Sequence, residues 1–151
     1  MYSGEKGAQE MTNTIIQQHG LVVSCQALEN EPLHGAVHMA AMARAAEMGG
    51  AIGIRANSVI DIVAIKNAVD LPIIGLNKRN IAGFEIFITP TVEDAIKIHK
   101  AGADIVAIDG TNRERPDGMT LKETIDILHR MDIKVMADIS TYEEGVYAAE
   151  V

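Results

Sequence analysis

Gln26, Arg55, Lys78, Asp109 and Asp138 each close an apolar run and return at regular intervals along this chain. Together they suit proton transfer on a small polar substrate. A lysine amine becomes a usable base near neutral pH when burial and a neighbouring cation lower its pKa, and Arg55 would be that cation. Two aspartates can orient substrate hydroxyls, hold the lysine or bind Mg2+. Arg55 can clamp a substrate oxygen or pair with an acid across a cleft. Gln26 can hydrogen-bond an amide or a hydroxyl. Plainer roles exist for the same residues: a strand-end lysine snorkels to solvent, and an aspartate caps the loop that follows it.

The runs that carry these residues are LVVSCQ, AIGIR, PIIGLNK, DIVAID and KVMAD. Successive end residues are 29, 23, 31 and 29 positions apart, and each interval holds a helix-period segment. The near-continuous β-branched runs predict strands buried on both faces, as in parallel sheets. The pattern is a βα unit repeated five times with polar groups at the strand ends, which is where (β/α)8 barrels keep their active sites. Such a barrel needs about 250 residues, against 151 here. The fold class expected is α/β, a TIM-barrel wall with about five of eight units present.

Strands are expected over Gly20–Gln26, Ala51–Arg55, Ile73–Lys78, Asp104–Asp109 and 134–138, with a short strand-like piece at 85–90. AVHMAAMARAAEM reads as a helix stopped by Gly49-Gly50. Ser58 is a candidate helix cap. Thr91 to Asp94, Thr120 to Glu123 and Thr141 to Glu144 read as capping boxes, the first with Asp in place of the preferred Glu or Gln. Residues 1–19 read as a leader with a short helix at Asn13–Gln18, and 20–151 as one partial-barrel domain. The final helix has no stop signal before Val151, so the chain reads as cut.

The formal charge is −8, from 13 basic and 21 acidic residues. That argues against nucleic acid and against an anionic membrane surface, both of which need clustered Lys and Arg. No run reaches the roughly 18 apolar residues of a membrane span. One cysteine makes no internal disulfide, which points to a reducing cytoplasm. Cys25 precedes Gln26 on its strand, faces the other way and reads as a small buried hydrophobe. His34 and His38 have the i, i+4 spacing of metal ligands, but no HExxH pattern surrounds them, so no metal is assigned. There is no glycine-rich phosphate loop.

The segments GLVVSCQALENEPLH, GGAIGIRAN, LPIIGLNKRN, ITPT, ADIVAIDGTNRERP and KVMADIST occur in unbroken order from about Gly20 to the end. Together they resemble the N-acetylmannosamine-6-phosphate 2-epimerase family of bacterial sialic-acid catabolism. The resemblance implies a (β/α)8 barrel that interconverts N-acetylmannosamine 6-phosphate and N-acetylglucosamine 6-phosphate without a cofactor. It implies that Lys78 is the catalytic lysine that moves the C2 proton. Gln26, Arg55 and Asp109 match substrate-contacting positions, and Asp138 matches a further acidic position. It also implies a catalytic glutamate on a seventh strand and phosphate loops near strands seven and eight, which five strands do not reach. Gly110 stands where Ala is common, and Asn77 where an apolar residue is common.

Two other readings compete. A five-stranded receiver domain of flavodoxin type would fit the length, but its acidic pair, phosphorylatable Asp and Lys would follow strands one, three and five. An inactive barrel fragment would expose the edges of strands one and five. Those edges favour a homo-oligomer or looser self-association.

Overall fold

A computed structural model describes residue 16 and residues 19–151. Strand and helix alternate through β1 (Val22–Cys25), α1 (Ala36–Met48), β2 (Gly53–Asn57), α2 (Val59–Lys66), β3 (Ile73–Leu76), α3 (Val92–Lys100), β4 (Ile105–Asp109), α4 (Leu121–Arg130), β5 (Val135–Asp138) and α5 (Tyr142–Glu150). Apart from Ile16, the helix expected over Asn13–Gln18 lies outside the described residues.

Each strand pairs in parallel with the next, giving the order β1-β2-β3-β4-β5. Sequential parallel order is that of a (β/α) barrel wall. It overturns the receiver reading, because a flavodoxin-type sheet runs 2-1-3-4-5 with its first strand inside.

Side chains alternate between the two faces of each strand. Ile54, Ile73, Val106 and Ile108 face the helices and pack with Ile62, Ile65, Ile98 and Leu128. Ile74, Leu76 and Ala107 form a separate cluster on the inner face, flanked by Val22, Ile105 and Met136. Nineteen buried residues lie in the helix-side layer and three in the inner one, among those described. Each fully buried Ile or Leu contributes about 1.5–3 kcal/mol. The helix side therefore carries most of the stability and leaves the inner face free for polar groups.

Helix starts follow the sequence. The side chains of Ser58, Thr91, Thr120 and Thr141 each accept from the backbone N–H three residues on. The boxes at Thr120–Glu123 and Thr141–Glu144 are reciprocal. At Thr91 the Asp94 carboxylate accepts from the Thr91 hydroxyl, not from its N–H, and from Asn77 and Arg79 as well.

The strand ends differ from expectation. β2 continues to Asn57, so Arg55 lies mid-strand. β3 stops at Leu76, leaving Lys78 two residues past it. The strand-like piece at 85–90 is only an isolated antiparallel bridge between Lys78 and Ile88. The chain doubles back there, with Arg79 N–H donating to Phe87 O and Thr89 N–H to Asn77 O. Thr89 then takes a positive φ of 47°, which ends the extended run.

Gly110 packs closely against the end of β5. Its N–H donates to Asp138 O at 2.8 Å, and a Cβ there would lie 2.8 Å from Ala137 Cβ and 3.0 Å from Asp138 O. Gly110→Ala is expected to push the end of β5 away and to cost about 1–3 kcal/mol. Urea melts measure this, and an unchanged midpoint would mean that the strand end yields freely.

Candidate active site

Alternation along the strands puts Gln26, Arg55, Lys78, Asp109 and Asp138 on the inner-face parity, each an even number of residues from an inner-face neighbour such as Val22, Leu76, Ala107 or Met136. Two of them touch. Arg55 Nη2 donates to Asp138 Oδ2 at 2.5 Å, joining β2 to β5 across the inner face. Arg55 Nη1 also lies 3.6 Å from Met136 Sδ. About a quarter of each side chain is exposed, 22% and 26%, so salt screens this pair less than an open surface pair.

Asp109 is buried at the end of β4. Its Oδ1 accepts from Thr111 N–H at 2.9 Å, so it does cap the loop that follows. Its Oδ2 lies 3.8 Å from Arg113, which also reaches Glu85 at 3.3 Å. Gln26 Nε2 donates to Ser24 Oγ at 2.9 Å, while its buried Oε1 has no partner among the described residues.

Lys78 lines an open cavity of about 500 Å³ together with Asn57, Ser58, Asp61, His34 and Phe87. Its N–H donates to Asn57 Oδ1 at 2.7 Å. Among the described residues its amine has no hydrogen-bond or ion-pair partner. Gln26, Arg55, Asp109 and Asp138 do not line this cavity. The inner face thus holds a free lysine amine in one cavity and a paired cation elsewhere.

Asn57 and Asp61 are among the cavity residues that the sequence pattern passed over. Asn57 was legible in principle, because it sits two residues after Arg55 and so on the same strand face. Its visibility depended on knowing that β2 ran on. His34 Nδ1 lies 3.3 Å from the Ala27 carbonyl. Neither His34 nor His38 joins a group of three potential metal ligands among the described residues. Cys25 is fully buried on the helix side, and burial pushes its thiol up.

Burial raises the Asp61 carboxyl, outweighing the opposing Ser58 hydrogen bond and His34 charge. The folded chain therefore resists ionising it. That cost is absent below the ordinary value of 3.8, grows as pH rises, and is constant above the folded-state value. Asp61→Asn should gain on the parent in stability between about pH 3 and pH 7. Denaturant melts at both ends test this, and a gap that shrinks with rising pH would contradict it.

Residues 39–151 match the family model described as "Putative N-acetylmannosamine-6-phosphate epimerase". A Caldanaerobacter subterraneus protein named "Putative N-acetylmannosamine-6-phosphate 2-epimerase" is 54% identical over 142 residues, covering 91% of this chain and 60% of its own length. A Borrelia garinii protein of the same name is 52% identical over 133 residues, covering 87% of this chain and 57% of its own. The chain also superposes on a solved N-acetylmannosamine-6-phosphate 2-epimerase from Clostridium perfringens with a TM-score of 0.85 and 42% identity, over 99% of this chain and 64% of that one. The chain spans about 60% of the length of the curated relatives it matches. Its five sequential βα units are those of a (β/α)8 barrel, and by fold, family model and identity the chain belongs to the N-acetylmannosamine-6-phosphate epimerase family.

Proposed function

We propose that this chain is the lysine-bearing part of an epimerase acting on N-acetylmannosamine 6-phosphate in cytoplasmic amino-sugar catabolism. The observation that carries the reading is Lys78: an unpartnered amine in an open cavity, on a peptide held by Asn57. In the open sugar, C2 lies α to the C1 aldehyde. The Lys78 amine takes the C2 proton, the C–H bond breaks, and its electron pair moves to the C1 oxygen as an enolate. A cation stabilises that oxygen, and Arg55 is assigned the role. Asp138, its partner in the structure, holds the guanidinium in place. Return of a proton to the opposite face of C2 inverts the centre. Gln26 and Asp109 are assigned to substrate hydroxyl or amide contacts. Only a proton moves, so the reading assigns no metal or cofactor.

The test uses the protein extended to the length of its relatives, with N-acetylmannosamine 6-phosphate in deuterated water. Formation of N-acetylglucosamine 6-phosphate carrying deuterium at C2 is the expected result. Product without solvent deuterium, or no product, would reject the reading.

Among the described residues no helix is long and apolar enough to cross a membrane. The outer edges of β1 and β5 have no neighbour in the described sheet. Exposed strand edges template pairing with another chain. The 151-residue chain is therefore expected to self-associate. Light scattering across a concentration series tests this, and a compact monomer that melts cooperatively at all concentrations would contradict it.

A further inference from the structure

Asp94 occupies the third position of α3, where a capping box would turn its side chain back to the helix start. Here the buried carboxylate meets the Thr91 hydroxyl rather than its N–H and also reaches another segment. Its Oδ1 accepts from Asn77 Nδ2 at 3.0 Å, and its Oδ2 accepts from Arg79 Nη2 at 2.8 Å and from Thr91 Oγ1 at 2.7 Å. Asn77 and Arg79 are the residues on either side of Lys78. Side chains alternate along an extended segment. The Asn77 and Arg79 side chains accordingly both reach Asp94 on α3, while Lys78 lines the cavity, with Asn77 also at its wall.

The same short segment is fixed from other directions. Asn57 takes the Lys78 N–H at 2.7 Å. Asn77 N–H donates to Thr89 Oγ1 at 3.1 Å, and Thr89 Oγ1 donates to Ala107 O at 2.6 Å. Asn77 O and Arg79 N–H close the backbone ring with Thr89 and Phe87. Among the described residues the Lys78 amine takes no part in these bonds.

We infer that Asp94 is a positioning residue for Lys78: one buried carboxylate grips both neighbours of the lysine and so fixes the direction in which its amine leaves the backbone. Helix capping alone needs Thr91 and the Asp94 N–H, which bond at 3.1 Å; it does not need two donors from a different loop. Only an ionised carboxylate can accept from both without offering a donor of its own. Asparagine, equal in shape, must present an NH2 to one of them. The inference rests on the proposed role of Lys78 for its catalytic meaning, but not for its geometry.

The test reads Lys78 directly. Lysines of the chain are reductively 13C-methylated, which keeps their charge, and the Lys78 signal is assigned with Lys78→Arg. Asp94→Asn is expected to move the Lys78 signal toward those of exposed lysines. The remaining lysine signals and the circular dichroism should be unchanged. Asp94→Glu should restore the parent signal at least in part. If Asp94→Asn fails to fold, the double variant Asn77→Ala with Arg79→Gln leaves the α3 cap intact and carries the same expectation. A Lys78 signal identical to the parent in a folded variant overturns the inference. In the extended protein, Asp94→Asn should lower kcat for C2 exchange about 10- to 100-fold with KM little changed, as expected for a misaimed base. Absence of exchange in the unmutated extended protein would reject the proposed function, while the Lys78 signal would still decide the role of Asp94.

Discussion

Lys78→Ala, in the protein extended to its relatives' length, is expected to slow exchange of the substrate C2 hydrogen with solvent deuterium by about 10²–10⁴-fold. That is the range a positioned general base contributes. Exchange is the right readout because it reports proton removal whether or not the product is released. The expectation follows from the placement of the amine. Lys78 stands two residues past β3, lines the cavity and has its peptide anchored to the neighbouring strand through Asn57. Deleting the side chain leaves these backbone bonds available, so the fold should persist and the loss should fall on kcat. Deuterium entering C2 at the parental rate would show that another group is the base. Asp61, buried in the same cavity with a raised carboxyl, would then be the next to test.

The second large effect concerns the chain alone. The 151 residues by themselves are expected to give no measurable epimerase turnover, whereas the extended protein turns over. Inversion at C2 needs a proton source on each face of the enolate. The cavity supplies Lys78 for one face. The family resemblance puts the second acid on a glutamate of a seventh strand and the phosphate clamp on loops near strands seven and eight. Each charge-assisted hydrogen bond of such a clamp is worth about 1.5–3 kcal/mol, and several together decide whether substrate binds at all. The matched relatives are longer, with this chain spanning 57% and 60% of their lengths. The comparison is a coupled assay or NMR time course on both forms at equal concentration. Product from the 151-residue chain alone would make the further strands dispensable.

Much of this was legible in the sequence for a physical reason. A strand buried on both faces must be apolar almost throughout, so a terminal Asp, such as Asp109 or Asp138, stands out against the run that carries it. Caps are equally local: Thr120 with Glu123 and Thr141 with Glu144 read directly as helix starts. Strand ends were harder. β2 runs on to Asn57 because that residue pairs in register with Leu76 of β3, and its amide oxygen takes the Lys78 N–H just past that strand, a partner 21 residues away that no local pattern reveals. The same holds for Asp94, whose sequence context announces the cap with Thr91 that does form but not its two further partners on the preceding loop. The pairing of Arg55 with Asp138 spans 83 residues and crosses the inner face. Alternation could place both on one side but could not say that they would touch. The segment at 85–90 looked strand-like from its Ile and Phe content, yet its backbone partners belong to one short fold-back around Lys78.

The strictly sequential order of the sheet also bears on how the protein comes into being. Among the described strands, each after the first docks on the one synthesised just before it. A βα unit of about 30 residues leaves the ribosome in several seconds at roughly 5–20 residues per second, whereas a helix forms within about a microsecond. The wall can therefore grow one unit at a time from the amino terminus, at the pace of translation. During that growth two edges stand open, that of β1 and that of the newest strand, and these are the surfaces that chaperones or neighbouring chains meet.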